Sequence, residues 1–285
     1  MLPGASPIKA ALSSAAFLFV VLSGCSTADS FRGTREIVAW AEQRGFSEAF
    51  VQAGKFRIAA FVRKPTTSHD TLTIYIEGDG AAWPTPYHPP RDPTPTRPVS
   101  LALAVADPSA AVAYLGRPCQ YLSTEALRGC ESAYWTERRF APEVLAAYEV
   151  AISQLKLTTG ARRLKLFGYS GGGVLAALLA AQRNDVELLV TVAAPLAVTE
   201  WVTWHKISPL TGSLDPVELS ENARLPRSVH FVGAKDEIVP AAVVEYFIRR
   251  KGGRMEVIPG FDHECCWARD WAVLLGRVKF QETEK

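Results

Sequence analysis

A serine set among glycines, Gly168-Tyr169-Ser170-Gly171-Gly172, matches the pattern Gly-x-Ser-x-Gly. A strand-like apolar run, Arg163 to Phe167, precedes it, and an Ala/Leu-rich helical run, Val174 to Gln182, follows. In that setting the pattern encodes a sharp strand-to-helix turn that presents the serine hydroxyl as a nucleophile. Such a turn is tight, so the residues two before and two after the serine must be small, and both are glycine. At a helix N-terminus, the dipole and free N–H groups favour negative charge developing beside Ser170. The competing reading is a Gly-rich turn for phosphate.

A lone serine is a weak nucleophile and needs a base. Among His69, His88, His205, His230 and His263, only His263 follows the last strand-like run, in Pro259-Gly260-Phe261-Asp262-His263. His230 lies inside an apolar strand and reads as core. The base in turn needs an acid to fix its tautomer and support the imidazolium. Asp236 meets that need, directly after a strand in Val232-Gly233-Ala234-Lys235-Asp236-Glu237-Ile238-Val239-Pro240. Glu237 and Asp262 are local rivals that read as solvated charges. Two N–H donors are required for an oxyanion. The residue after the nucleophile, Gly171, supplies one. The turn Glu77-Gly78-Asp79-Gly80 supplies the other, through Asp79 N–H or alternatively Gly80.

These residues sit between alternating elements. Phe46 to Gln52 and Phe56 to Arg63 read as a hairpin around Ala53-Gly54-Lys55, and Thr71 to Ile76 as a third strand. Seven prolines between residues 83 and 98 exclude a helix or inner strand there. Val99 to Ala106 reads as a helix, Ala111 to Leu115 as a strand, and Trp135 to Leu157 as a helix ended by Gly160. Further strands are expected at Val186 to Val192, Val229 to Val232 and Met255 to Ile258, with helices at Ala241 to Lys251 and Trp267 to Val278. Continuous apolar strands alternating with helices predict an α/β fold: a mostly parallel sheet with helices on both faces.

Taken together from about residue 46 onward, the elbow around Ser170, the Asp236…Val-Pro turn and the final His263 resemble the α/β-hydrolase superfamily, in its Ser…Asp…His chain order. Glu77 stands where such enzymes often show His. Gly116-Arg117-Pro118-Cys119-Gln120-Tyr121, Tyr134-Trp135-Thr136 and Ser208 to Leu214 resemble blocks of exported bacterial hydrolases of undefined substrate. The resemblance implies an eight-stranded sheet, acyl-enzyme chemistry on a small ester or thioester, and no metal or organic cofactor; it does not fix the acyl group. A lid-like segment is expected at about 196–226, where Trp201 and Trp204 either line an acyl pocket or pack the lid on the sheet. Arg117 and Gln120 follow a strand end on the ligand-binding side of the sheet, so they contact substrate or hold the loop. A non-catalytic envelope lipoprotein that binds a ligand or partner is the alternative.

Composition bounds the rest. The 285 residues suit one α/β domain behind a leader, with 48% hydrophobic and 21% charged residues. A net charge of +2, from 31 basic and 29 acidic residues, leaves no footprint for nucleic acid. Residues 1–24 read as a signal peptide with the apolar run Ala10 to Leu22. The ending Leu22-Ser23-Gly24-Cys25 resembles a bacterial lipobox, which implies a lipid on Cys25 and a membrane attachment through it. Ser26 after the cysteine implies the outer membrane, facing the periplasm. Residues 25–45 read as a tether and 46–285 as the hydrolase domain. Export permits disulfides. Cys119 and Cys130 enclose a small loop, and Cys265-Cys266 pair with each other or cross-pair with that loop. Without Cys-x-x-Cys, neither a zinc ribbon nor a thiol redox site is supported.

Overall fold

The computed structural model describes residues 30–63, 69–81 and 88–279, with residues 1 and 65 besides. Its strands are β1 (Ser47–Ala53), β2 (Phe56–Arg63), β3 (Thr71–Ile76), β4 (Val112–Leu115), β5 (Arg163–Tyr169), β6 (Val186–Val192), β7 (Arg227–Gly233) and β8 (Arg254–Ile258). Its helices are α1 (Thr34–Glu42), α2 (Val99–Ala106), α3 (Thr124–Leu127), α4 (Pro142–Thr159), α5 (Gly171–Gln182), α6 (Val198–His205), α7 (Ala241–Lys251) and α8 (Trp271–Lys279). One sheet holds all eight strands in the order β1-β2-β4-β3-β5-β6-β7-β8. The pairs β1·β2 and β2·β4 are antiparallel, and every pair from β4·β3 to β7·β8 is parallel. The expected α/β architecture, mostly parallel with helices on both faces, is therefore the observed one.

Strand side chains alternate between faces. Leu72, Ile74 and Ile76 of β3 join a core under α4, α5 and α7, while Tyr75 joins a second core under α1, α2 and α8. Helix α5 is apolar all round, and its residues from Gly171 to Ala180 are buried, as a helix without a polar face must be. In the second core, Tyr75, Phe167 and Trp271 meet ring against ring, and Trp271 Nε1 donates to Tyr75 Oη at 2.9 Å.

Three expectations differ from the structure. The stretch 25–45 is not all tether: α1 packs Ile37 and Ala41, both fully buried, into the second core. Helix α4 begins at Pro142 rather than Trp135, because proline lacks an N–H and is accommodated at the first helical position. Residues Ser132–Trp135 form a 3₁₀ turn instead. Helix α8 begins at Trp271 rather than Trp267, because residues 267–270 form a turn that leads into it. The lid-like segment holds one helix, α6, and a 3₁₀ turn at Pro216–Glu218. The signal peptide and Cys25 lie outside the described residues, Met1 apart.

Candidate active site

Parallel strands all end at one edge of a sheet, and ligands bind in the crevice there. The chain leaves that edge through five loops carrying Ser170 after β5, Asp236 after β7, His263 after β8, Asp79 after β3 and Arg117 after β4.

Ser170 sits at φ 49°, ψ −127°, a strained conformation for a residue with a Cβ. Its N–H donates to Val192 O at 2.9 Å. The flanking glycines are required by close approach: a Cβ on Gly168 would lie 2.3 Å from Gly172 O, and one on Gly172 would lie 2.2 Å from Ile76 O. His263 Nε2 is 3.1 Å from Ser170 Oγ, and its Nδ1 is 2.9 Å from Asp236 Oδ2. With Nδ1–H donated to the carboxylate, Nε2 is left as the lone-pair nitrogen facing the serine hydroxyl.

Each member is held from behind. Asp236 is only 6% exposed. Its Oδ1 accepts the N–H groups of Ile238 at 2.9 Å and Val239 at 2.8 Å, which leaves Oδ2 for the imidazole. Trp201 Nε1 and His205 Nε2 both lie within hydrogen-bond distance of Ile238 O, at 2.7 and 2.8 Å, so α6 pins the acid loop. Beyond His263, Asp262 Oδ1 accepts from Glu264 N–H and Cys265 N–H, and Trp267 Nε1 bridges the carbonyls of Asp262 and His263. Asp262 thus caps the histidine turn rather than serving as the acid, and Glu237 is exposed. Tyr169 packs its ring 5.3 Å from that of His263.

The loop after β3 lies directly against the elbow. A Cβ on Gly78 would stand 3.3 Å from Ser170 Cβ, and one on Gly171 would stand 2.1 Å from Asp79 Oδ1. Among the described residues, no hydrogen bond uses the N–H of Gly171 or of Asp79. Glu77, buried beneath this loop, accepts from Gly78 N–H at 2.9 Å, Ser100 N–H at 3.3 Å and Tyr114 Oη at 3.1 Å. Burial pushes its carboxyl up to about 7, against those hydrogen bonds. Burial also raises Asp79, but the Arg139 and Arg117 charges outweigh it and hold that carboxyl below its ordinary value.

A comparison with solved structures returns enzymes and enzyme homologues of one architecture. Est1E from Butyrivibrio proteoclasticus superposes with a TM-score of 0.56 at 14% identity, covering 84% of this chain and 99% of that one. An alpha-beta serine hydrolase homologue from Coxiella burnetii gives 0.55 at 15% identity over 82% and 97%. Dienelactone hydrolase from Anabaena variabilis gives 0.54 at 17% identity over 84% and 98%. The chain has the α/β-hydrolase fold. No protein-family model matches the sequence, and no curated protein matches it either.

On this hydrolase fold the remaining candidates fall as follows. Arg117 does not face solvent: it is 2% exposed, with Nη1 on Asp79 Oδ1 at 2.8 Å and Nη2 on Arg139 O at 2.5 Å. Of its two readings, holding the loop is the one realised, because both terminal nitrogens are already committed. Trp201 packs on the core beside the acid loop, whereas Trp204 is 57% exposed at the surface of α6. Neither lines the cleft of about 440 Å³ beside His263, whose walls include Arg97, Lys235, Ile238, Glu264 and Cys265. His230 is core as expected, its Nδ1 2.9 Å from Thr191 Oγ1, and burial lowers it to about 3. Cys119 pairs with Cys130, and Cys265 with Cys266. Among the described residues, no group of His, Cys, Asp and Glu could hold a metal, and no helix is long and apolar enough to cross a membrane.

Sequence reasoning missed Arg139, which places Nη1 2.6 Å from Asp79 Oδ2. It sits in the irregular stretch before α4, where the expected helix would have turned it elsewhere; the proline at 142 was the available signal.

Proposed function

We propose that this chain is a serine hydrolase that cleaves a small ester or thioester through an acyl-enzyme. The observation that carries the reading is the unbroken line Ser170 Oγ, His263 Nε2, His263 Nδ1, Asp236 Oδ2, with steps of 3.1 and 2.9 Å across its two hydrogen bonds. Ser170 Oγ attacks the carbonyl carbon as its proton passes to His263 Nε2. Negative charge gathers on the carbonyl oxygen, and the N–H groups of Gly171 and Asp79 receive it. Asp236 keeps the ring oriented and offsets the imidazolium charge. His263 then gives its proton to the leaving oxygen or sulfur as the tetrahedral species collapses. Water, deprotonated by the same imidazole, releases the acid and restores Ser170.

The lipobox-like Leu22-Ser23-Gly24-Cys25 adds the second part of the proposal: a chain exported and tethered by lipid on Cys25, at the outer membrane facing the periplasm. The two disulfides suit an oxidising compartment. A panel of p-nitrophenyl esters and acyl thioesters of graded chain length tests the activity. Turnover of at least one class, abolished by Ser170→Ala, is expected; equal turnover by that variant overturns the reading. Palmitate incorporation in cells, lost on Cys25→Ser, tests the tether.

A further inference from the structure

The second oxyanion donor is the N–H of the peptide plane between Gly78 and Asp79. In a trans peptide the C=O and N–H point in opposite directions, so whatever holds the carbonyl also aims the N–H. Gly78 O accepts from Gln120 Nε2 at 3.3 Å. Gln120 is fully buried, and every polar atom of its amide is engaged: Nε2 also donates to Pro93 O at 3.2 Å, and Oε1 accepts Arg117 N–H at 2.9 Å. Two carbonyls on one end and an N–H on the other fix which way the amide faces, since a flip would set like against like.

The placement around the loop is two-sided. On one side stand the elbow residues, with Tyr169 Cδ1 3.1 Å and Ser170 Cβ 3.3 Å from a Cβ position on Gly78. On the other stand Gln120 and the Pro93 carbonyl, with Nε2 and O 2.6 and 1.8 Å from a Cβ position on Gly80. The Gly78 carbonyl is turned to the Gln120 side, which leaves the Asp79 N–H for the elbow side. Gln120 cannot drift easily, because Cys119 at φ 71° and Tyr121 at φ 62° flank it and Cys119 is bonded to Cys130. The Asp79 side chain is held separately by Arg117 and Arg139, one carboxylate oxygen to each.

We propose that Gln120 is a positioning residue of the reaction, whose side-chain amide holds the Gly78 carbonyl and thereby aims the Asp79 N–H at the oxyanion. The inference rests on the serine-hydrolase reading. Removing an oxyanion donor outright costs about 10²–10³-fold in kcat. Loosening the aim of a donor that remains costs less, about tenfold.

The test uses Gln120→Met, which keeps side-chain length and removes the amide. Active-site titration with a fluorophosphonate counts competent Ser170 sites, and kcat and KM for p-nitrophenyl butyrate are then expressed per titrated site. The expected result is kcat per site down about tenfold with KM within about twofold, and the Ki of phenylboronic acid, whose tetrahedral adduct places an oxygen in the hole, raised by a similar factor. A residue that only supports folding would lower the number of sites and leave kcat per site unchanged; that result overturns the inference. Should Gln120→Met give no titratable sites, Gln120→Glu, which keeps length and the acceptor for Arg117 N–H, carries the same comparison. Ser170→Ala run alongside separates the two levels: if it is inactive while Gln120→Met matches wild type per site, the Gln120 inference alone falls, and if it stays active, the hydrolase reading falls.

Discussion

Replacing Glu77 by Gln should change how stability depends on pH, by an amount set by the burial of one carboxyl. Glu77 is 1% exposed, and its pKa rises from 4.5 to about 7. Below pH 4.5 the folded and unfolded chains both hold this proton, and the group contributes no slope. Between 4.5 and about 7 the unfolded carboxyl has ionised and the folded one has not, so stability falls as pH rises. Above about 7 both are ionised and the loss is complete. At about 1.36 kcal/mol per pH unit the full loss is about 3 kcal/mol. Gln keeps an acceptor for the Gly78 and Ser100 N–H groups and does not titrate. Urea unfolding of wild type and Glu77→Gln across this pH range reads the difference directly, because the other titrating groups cancel. Wild type should lose about 3 kcal/mol relative to the variant on going from acid to mildly alkaline pH. Parallel stability curves would mean that the Glu77 carboxyl ionises alike in the folded and unfolded chains.

Three further changes follow from the same geometry. Asp236→Asn should leave the fold and KM nearly unchanged and lower kcat by about 10⁴-fold, since the amide favours the wrong imidazole tautomer; steady-state kinetics on an ester substrate check it. Gly172→Ala places a methyl group 2.2 Å from Ile76 O, so the elbow must shift, and both thermal stability and activity should fall together in melting and turnover assays. Converting Cys119 and Cys130 to Ser should cost about 2–4 kcal/mol in unfolding free energy, through the freed loop that carries Gln120, measured by urea titration under non-reducing conditions.

The legible part of this protein was the part fixed locally. Gly168 and Gly172 announce a turn that admits no Cβ, and the structure shows the carbonyls that forbid one. The runs at Thr71–Ile76 and Val186–Val192 read as strands from their apolar and β-branched residues, which the structure buries on both faces, and the alternation with helices dictates which ends converge. Asp236 and His263 could be picked out because each directly follows a strand end. What escaped depends on contacts between distant segments. Helix α1 has buried residues at 37 and 41, a helical spacing too short to stand out from a tether. Arg139 reaches Asp79 across 60 positions of sequence; Pro142 marks it as lying outside the helix, but not which carboxylate it pairs with. Arg117 carries a charge at a ligand-facing edge, but its guanidinium turns inward, with Nη1 on the half-buried Asp79 carboxylate and Nη2 on the Arg139 carbonyl.

Covalent labelling of the purified chain with a fluorophosphonate, followed by peptide mapping, reads the nucleophile itself. One adduct is expected, on the Ser170 hydroxyl, formed at a rate that collapses in His263→Ala and absent from Ser170→Ala. Labelling of wild type at another residue, or undiminished labelling of Ser170→Ala, would remove Ser170 as the nucleophile.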